Sequence, residues 1–259
     1  MSSVFRKVRY EEMLPHEIRT ARTERALAYL PLGTLEWHGH QNAVGLDGLK
    51  AHGMCCEFAA EHGGLVMPTV YWGDNRADIL EIVYHPEKFT SLTRDHRPEV
   101  AEAYGIPFEK LEANATRAEE SGGWSFFEEL VTRSFHQIES LGFDEIVCIT
   151  GHYPENGPAK AARERYIADG GSCTVHVFIG YDLVADEGYR GDHAARWETS
   201  LLWALRPECV DASLTETDAE EPTGIAGPHP RDASPGFGQE AIERMVARLG
   251  EHLTSARGE

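Results

Sequence analysis

The chain has 259 residues, 41% hydrophobic and 26% charged, with a formal net charge of −19 at pH 7. That length can bury a sizeable core without disulfide or metal staples. The acidity argues against a nucleic-acid partner and against anionic membrane surfaces, which select basic proteins. Five cysteines (Cys55, Cys56, Cys148, Cys173 and Cys209) form no CxxC pair and no regular framework. Together with a start that lacks an apolar h-region and the lack of any window long enough to span a bilayer, they lead us to expect reduced thiols and a cytoplasmic protein.

In chain order, "ALAYLPLG" (26–33) is a short apolar run closed by a glycine and reads as a buried strand. The polar loop "LGTLEWHGHQNAVGLD" (32–47) follows. Next, "GLKAHGMCCEFAAEHGG" (48–64) has apolar residues at helical spacing and stops at two glycines. "LVMPTVYWG" (65–73) reads as a second strand. The segment 93–122 is polar and weakly periodic, and is expected to be an insertion or lid rather than a second core. "SFFEELVTRSFHQIESLGF" (125–143) predicts an amphipathic helix with Phe126, Leu130, Phe135 and Ile138 on one side. It feeds the strand "DEIVCITGH" (144–152), where Cys148 reads as a small buried hydrophobe. "CTVHVFIGYDLV" (173–184) predicts another strand, "WETSLLWALRP" (197–207) a helix ended by proline, and "GFGQEAIERMVARLGEHL" (236–253) a C-terminal helix.

Strands that are continuously apolar and alternate with helices imply a mostly parallel sheet covered on both faces, an α/β fold in one domain spanning 1–259. Ligands of such sheets bind beyond the C-terminal strand ends. Two polar clusters, "GTLEWHGH" and "TGHYPEN", directly follow predicted strands and should open on the same rim.

Three separated pieces carry imidazole and carboxylate groups: Glu36 and His38 with Asp47, then His152 with Glu155, then His193 with Glu198. Mixed nitrogen and oxygen donors suit Zn²⁺ or Mn²⁺, and Asp47 could bridge two cations through its two oxygens. Each of these residues alone also fits an ordinary surface or core role. His40 could be a bystander, and Glu198 could simply cap and anchor the helix that follows it.

The same pieces, in order and approximate spacing, resemble the creatininase family of dinuclear metal-dependent amidohydrolases. "LPLGTLEWHGH" is similar to its opening motif, "LD" at 46–47 to its following aspartate, and "TGHYPEN" to its Asn-Gly-His motif. "DHAARWETSLLWALRPECVD" is similar to its Glu-Thr-Ser block. "YHPEKFTSL" (84–92) and "GPHPRDASPGFG" echo two further family segments. The resemblance covers nearly the whole chain except about 93–122. It implies a three-layer α/β/α sandwich and a homo-oligomer, often a hexamer. It further implies hydrolysis of the C–N bond of a small cyclic amide by a hydroxide shared between two divalent ions, Zn²⁺ and/or Mn²⁺. Carried over, Glu36, Asp47 and His152 would hold one ion, and His38, Asp47 and Glu155 the other. His193 would transfer protons, Glu198 would orient its surroundings, and Trp37, His40, Tyr153 and Tyr189 would meet the substrate.

The sequence departs from the family pattern at four places. Two residues, Tyr153 and Pro154, separate His152 from Glu155 where creatininase has one. Trp37 replaces a glutamine, Glu87-Lys88-Phe89 replaces Pro-Gly-Thr, and Tyr189 replaces a tryptophan. Two further readings follow. The same ions could hydrolyse a keto-cyclitol, oxidised sugar or lactone, which the Tyr189 hydroxyl and the charged stretch 94–97 would suit. Alternatively, the shift at Pro154 breaks the second site and leaves a non-catalytic metal- or ligand-binding protein.

Overall fold

A computed structural model describes residues 7–73 and 92–257. Along the chain run α1 (Pro15–Glu24), β1 (Leu27–Leu32), α2 (Leu46–His62), β2 (Leu65–Val66), α3 (Arg97–Tyr104), α4 (Phe108–Glu120), α5 (Gly123–Ser140), β3 (Glu145–Thr150), α6 (Asn156–Ala168), β4 (Thr174–Ile179), α7 (Arg196–Leu205) and α8 (Pro235–Arg257). The four strands pair in the order β2-β1-β3-β4, all parallel. β1 and β3 lie at the centre in a register that pairs Leu27 with Glu145 and Leu32 with Thr150.

Every residue of β1 is buried, because the two faces of the strand meet different helical layers. Leu27 and Tyr29, with Val147 and Ile149 of β3, pack under Met54 and Phe58 of α2, Trp197 and Leu201 of α7, and Met245 and Leu249 of α8. Ala28, Leu30 and Leu32, with Ile146 and Cys148, pack under Phe127, Val131 and Phe135 of α5 and Ala159 and Tyr166 of α6. The result is the expected α/β/α sandwich, and Cys148 is a buried thiol in its core.

Two local expectations change. Phe126 points outward, 58% exposed, and the buried stripe of α5 is Phe127, Val131, Phe135 and Ile138. Those four residues keep the three- and four-residue steps of a helix face, which 126, 130, 135 and 138 do not. The run 65–73 pairs as a strand only at Leu65 and Val66, then returns as a single parallel bridge from Val70 to Leu32. Pro68, between them, has no N–H to give the ladder. Within 93–122 two helices form, and Val100, Ala101 and Leu111 join Leu92, Trp37 and Ala226 in a third small apolar cluster. The charges at 94–97 are spent close by: Arg94 pairs with Glu99, Arg97 with Asp95 and Glu112, and buried His96 with Glu221. The stretch 84–91, including Glu87-Lys88-Phe89, lies outside the described residues. Among the described residues no helix is long and apolar enough to cross a membrane.

Two glycines at the strand ends let α2 approach the sheet. A Cβ on Gly33 would stand 2.3 Å from the main-chain nitrogen of Gly48, and one on Gly151 would stand 2.1 Å from the main-chain oxygen of Asp47. The first turn of α2 is thereby wedged between the ends of β1 and β3. Gly151→Ala is therefore expected to lower stability by about 1–3 kcal/mol, the cost of overpacking a filled site. Gly236→Ala, where an added Cβ meets open space in α8, should be neutral or stabilising by up to about 1 kcal/mol. Denaturant melts of the two variants beside the parent check this, and equal midpoints for Gly151→Ala and the parent would contradict the wedge.

Candidate metal centre

The rim above β1 and β3 receives side chains from three loops. Glu36 and His38 lie in the loop after β1, which is held by a hydrogen bond from the Glu36 N–H to the Val44 carbonyl at 2.9 Å. Asp47 opens α2, and His152 follows β3 by two residues. His193 is fixed by a two-way main-chain pairing with Ala226, at 2.8 and 3.0 Å. Beyond it, the Asp192 carboxylate accepts from the N–H groups of Trp197 at 2.7 Å and Glu198 at 3.1 Å, so it caps α7. Ala194, at φ 55°, is the one non-glycine residue in the left-handed region among those described. Its N–H donates to Glu198 Oε2 at 2.8 Å, and its carbonyl accepts from Gln41 and Thr199, both at 3.1 Å. A strained turn thus aims His193 and Glu198 at the same space.

Three groups of donors converge there, all buried except half-buried His193: Glu36 with Asp47 and His152, His38 with Asp47 and Glu198, and Glu36 with His38 and His193. In the first, His152 Nδ1 is 3.1 Å from Glu36 Oε2 and 3.3 Å from Asp47 Oδ2. In the second, His38 Nε2 is 3.4 Å from Asp47 Oδ1 and 3.6 Å from Glu198 Oε2. The two oxygens of Asp47 therefore serve two different imidazoles. The third group is looser, with both histidines 3.9 Å from Glu36 Oε2.

These spacings fit a divalent cation. Donors about 2.0–2.2 Å from a shared ion stand roughly 3.0–3.5 Å from one another. Glu36 Oε2, His38 Nε2 and Asp47 Oδ2 are buried without a well-angled hydrogen bond, a costly condition unless another group satisfies them. The far side of His38 completes the pattern: Nδ1 lies 3.1 Å from the Glu36 carbonyl, which accepts its proton, so Nε2 is the nitrogen turned toward the carboxylates and the one a cation would engage in place of a proton.

Burial and proximity move the ionisation of these groups in opposite directions. Burial pushes the Glu36 carboxyl up to about 7, against the pull of His152 and His38. For His38, burial disfavours the charge, but Asp47, Glu198 and Glu36 outweigh it and lift the imidazole to about 9. Burial likewise opposes the Asp47 charge, yet His38, His152 and Lys50 hold it well below the carboxylate range. His193 is pushed well below the histidine range by burial and then by His38. Asp192 is raised to about 7 by burial and by Glu198.

Of the residues singled out from sequence, Glu36, His38, Asp47, His152, His193 and Glu198 meet on this rim. Glu155 is buried in the single 3-10 turn Tyr153–Glu155 and belongs to none of the three groups; Glu198 faces His38 and Asp47. Trp37 is buried, donates from Nε1 to the Thr223 carbonyl at 2.8 Å, and stacks edgewise on exposed His40 at 4.9 Å. Tyr153 packs edgewise on Tyr181 at 5.0 Å. Tyr189 stands apart, on Trp197 at 5.3 Å and Phe237 at 5.7 Å, lining with Asp192, Arg196 and Arg244 a cavity of about 580 Å³.

Sequence reading missed Lys50, Asp192, Gln41 and Asn42. Lys50 is 2% exposed and donates to Glu198 Oε1, with Asp47 Oδ1 at 3.5 Å. Its spacing of three from Asp47 on a helix was the available signal. Asn42 donates to the His38 carbonyl at 3.0 Å and to Thr199 Oγ1 at 2.9 Å, tying the first loop to α7.

Comparison with known proteins identifies the family and the fold. Residues 11–103 and 121–253 match the family profile described as "Creatininase: Creatinine amidohydrolase". The creatinine amidohydrolase of Pseudomonas putida is 26% identical over 213 residues, covering 76% of this chain and 70% of that protein. A solved structure described as "Creatininase Mn" superposes with a TM-score of 0.67 at 18% identity, covering 97% of this chain and 99% of the other. A mutant creatininase of the zinc–zinc type gives a TM-score of 0.66 at 20% identity, covering 97% and 98%.

Asp47→Ala, which removes the carboxylate common to two groups, is expected to abolish binding of Zn²⁺ or Mn²⁺. Glu155→Gln, outside all three, should leave metal content unchanged. Metal analysis after equilibrium dialysis decides both, and equal metal in Asp47→Ala and the parent would remove Asp47 from the site.

Proposed function

Because the chain belongs to the creatininase family of amidohydrolases, we propose that it is a metal-dependent hydrolase that opens the C–N bond of a small cyclic amide. The observation that carries this reading is the division of Asp47 between two imidazoles, His38 on Oδ1 and His152 on Oδ2, in a buried rim. Glu36, Asp47 and His152 form the tightest set for an ion, and His38 stands beside it. A divalent ion bound there supplies Lewis acidity, polarising an amide carbonyl and making water more acidic.

The remaining chemistry belongs to the chain. His193 Nε2 lies 2.9 Å from the Trp37 carbonyl, which accepts its proton and fixes the tautomer. Nδ1 therefore carries the lone pair and looks toward Glu36. From there it takes the proton shed by attacking water and returns it to the leaving nitrogen as the ring opens. Glu198 holds the turn that presents His193, through the Ala194 N–H. The Trp37 indole, with His40 at its edge, and the Tyr153 ring wall the rim and limit the entry of bulk water.

The test is a panel of lactams, hydantoins and creatinine, scored for a new carboxylate together with a newly freed nitrogen. Turnover is expected on at least one cyclic amide. Hydrolysis confined to lactones or keto-cyclitols would move the substrate class while keeping the site. On the amide that turns over, His193→Ala should lower kcat by about 10²–10⁴-fold, the usual worth of a positioned proton-transfer group, with metal content intact. An unchanged kcat would exclude His193 from proton transfer.

A further inference from the structure

We infer that the Lys50 ammonium takes the place of a second cation, so that the centre holds one divalent ion, at Glu36, Asp47 and His152. This rests on the metal-hydrolase reading and specifies its charge. Lys50 lies one helical turn beyond Asp47, on the same face of α2. Its stem is buried, its nitrogen sits 4.9 Å above the centre of the Tyr153 ring, and its head meets the two carboxylates of the His38–Asp47–Glu198 group.

That group has little capacity left for an ion. Glu198 Oε1 accepts from Lys50, and Glu198 Oε2 accepts from the Ala194 N–H at 2.8 Å. Asp47 Oδ1 faces Lys50 at 3.5 Å as well as His38 at 3.4 Å. Of the atoms that face one another in that group, His38 Nε2, Asp47 Oδ1 and Glu198 Oε2, only His38 Nε2 is left without a hydrogen bond, whereas zinc and manganese sites need three or more protein donors. The other group differs. Glu36 Oε2 and Asp47 Oδ2 are both without a well-angled hydrogen bond, and both lie within 3.3 Å of His152 Nδ1.

Lys50 also brings a fixed positive charge into a region crowded with buried carboxylates, namely Glu36, Asp47, Glu155, Asp192 and Glu198. Lysine suits this task because its compact point charge rides on a stem that can be buried.

The test counts ions. Purified protein dialysed against Zn²⁺, and separately against Mn²⁺, is expected to retain one ion per chain, lost in His152→Ala. The Mn²⁺ form should give an uncoupled electron paramagnetic resonance spectrum. Lys50→Met, which keeps the length and removes the charge, should gain a second ion and, with Mn²⁺, a spin-coupled spectrum. Two ions per chain in the parent protein, or a coupled spectrum there, would overturn the role given to Lys50 and leave the metal-hydrolase reading standing. A parent protein that binds neither metal would overturn both. Because the parent count and spectrum need no variant, the inference stays open to refutation even if Lys50→Met does not fold.

Discussion

The docking of the first turn of α2 between the ends of β1 and β3 is the contact on which the rest of the rim depends. Backbone meets backbone there: Gly33 against Gly48, and Gly151 against Asp47. No side chain fits between them, so the helix start is located by close backbone packing rather than by long side chains. Asp47 consequently projects its carboxylate over the centre of the sheet, at a helix N-terminus whose dipole favours negative charge. The two strands it touches are the two whose following loops bring Glu36 and His152, so both partners reach Asp47 without a long detour of the chain.

Burying several carboxylates in one place is expensive, and the surrounding groups account for how it is tolerated. Asp47 and Glu198 stay among cations and donors, namely His38, Lys50 and the Ala194 N–H. Glu36 has fewer such partners, and burial lifts its carboxyl to about 7. The unequal distribution is informative. Where the chain provides its own positive charge, the oxygens are engaged; where it does not, they stand unsatisfied and suit an outside cation. The acidic exterior, at −19 overall, raises the local concentration of cations and so favours loading of the unsatisfied half.

Much of this was legible in the sequence because the signals were local. Apolar runs of six residues gave the central strands, and histidine or carboxylate groups immediately after them marked the rim. What escaped depended on non-local packing or on helical phase. Phe126 and Phe127 are adjacent, and only the phase set by Val131 and Phe135 decides which is buried. Glu155 and Glu198 are both buried glutamates near histidines; the turn over Tyr153–Glu155 and the cap from Asp192 determine which one faces His38. Lys50 sits in "GLKAHG", where a lysine reads as solvent-facing until the helix is placed against α7. The helices of 97–120 were obscured because their apolar residues are few and find their partners in Trp37 and Ala226, far away in sequence.

Trp37 connects that helical segment to the chemistry of the rim. Its indole lies in the small cluster with Val100, Ala101 and Leu111 and stacks edgewise on Tyr104 at 5.7 Å. Its carbonyl accepts the proton that sets the tautomer of His193, and Ala226, another member of the cluster, pairs with the His193 main chain. The imidazole and the main chain of His193 are thus each anchored to a residue of the cluster that α3 and α4 complete. A shift of those helices would be transmitted to the imidazole through two short rigid links rather than through flexible side chains. The stretch that looked peripheral in the sequence is therefore mechanically adjacent to His193, the residue proposed to move a proton, and the Trp37 indole supplies the apolar surface that joins them.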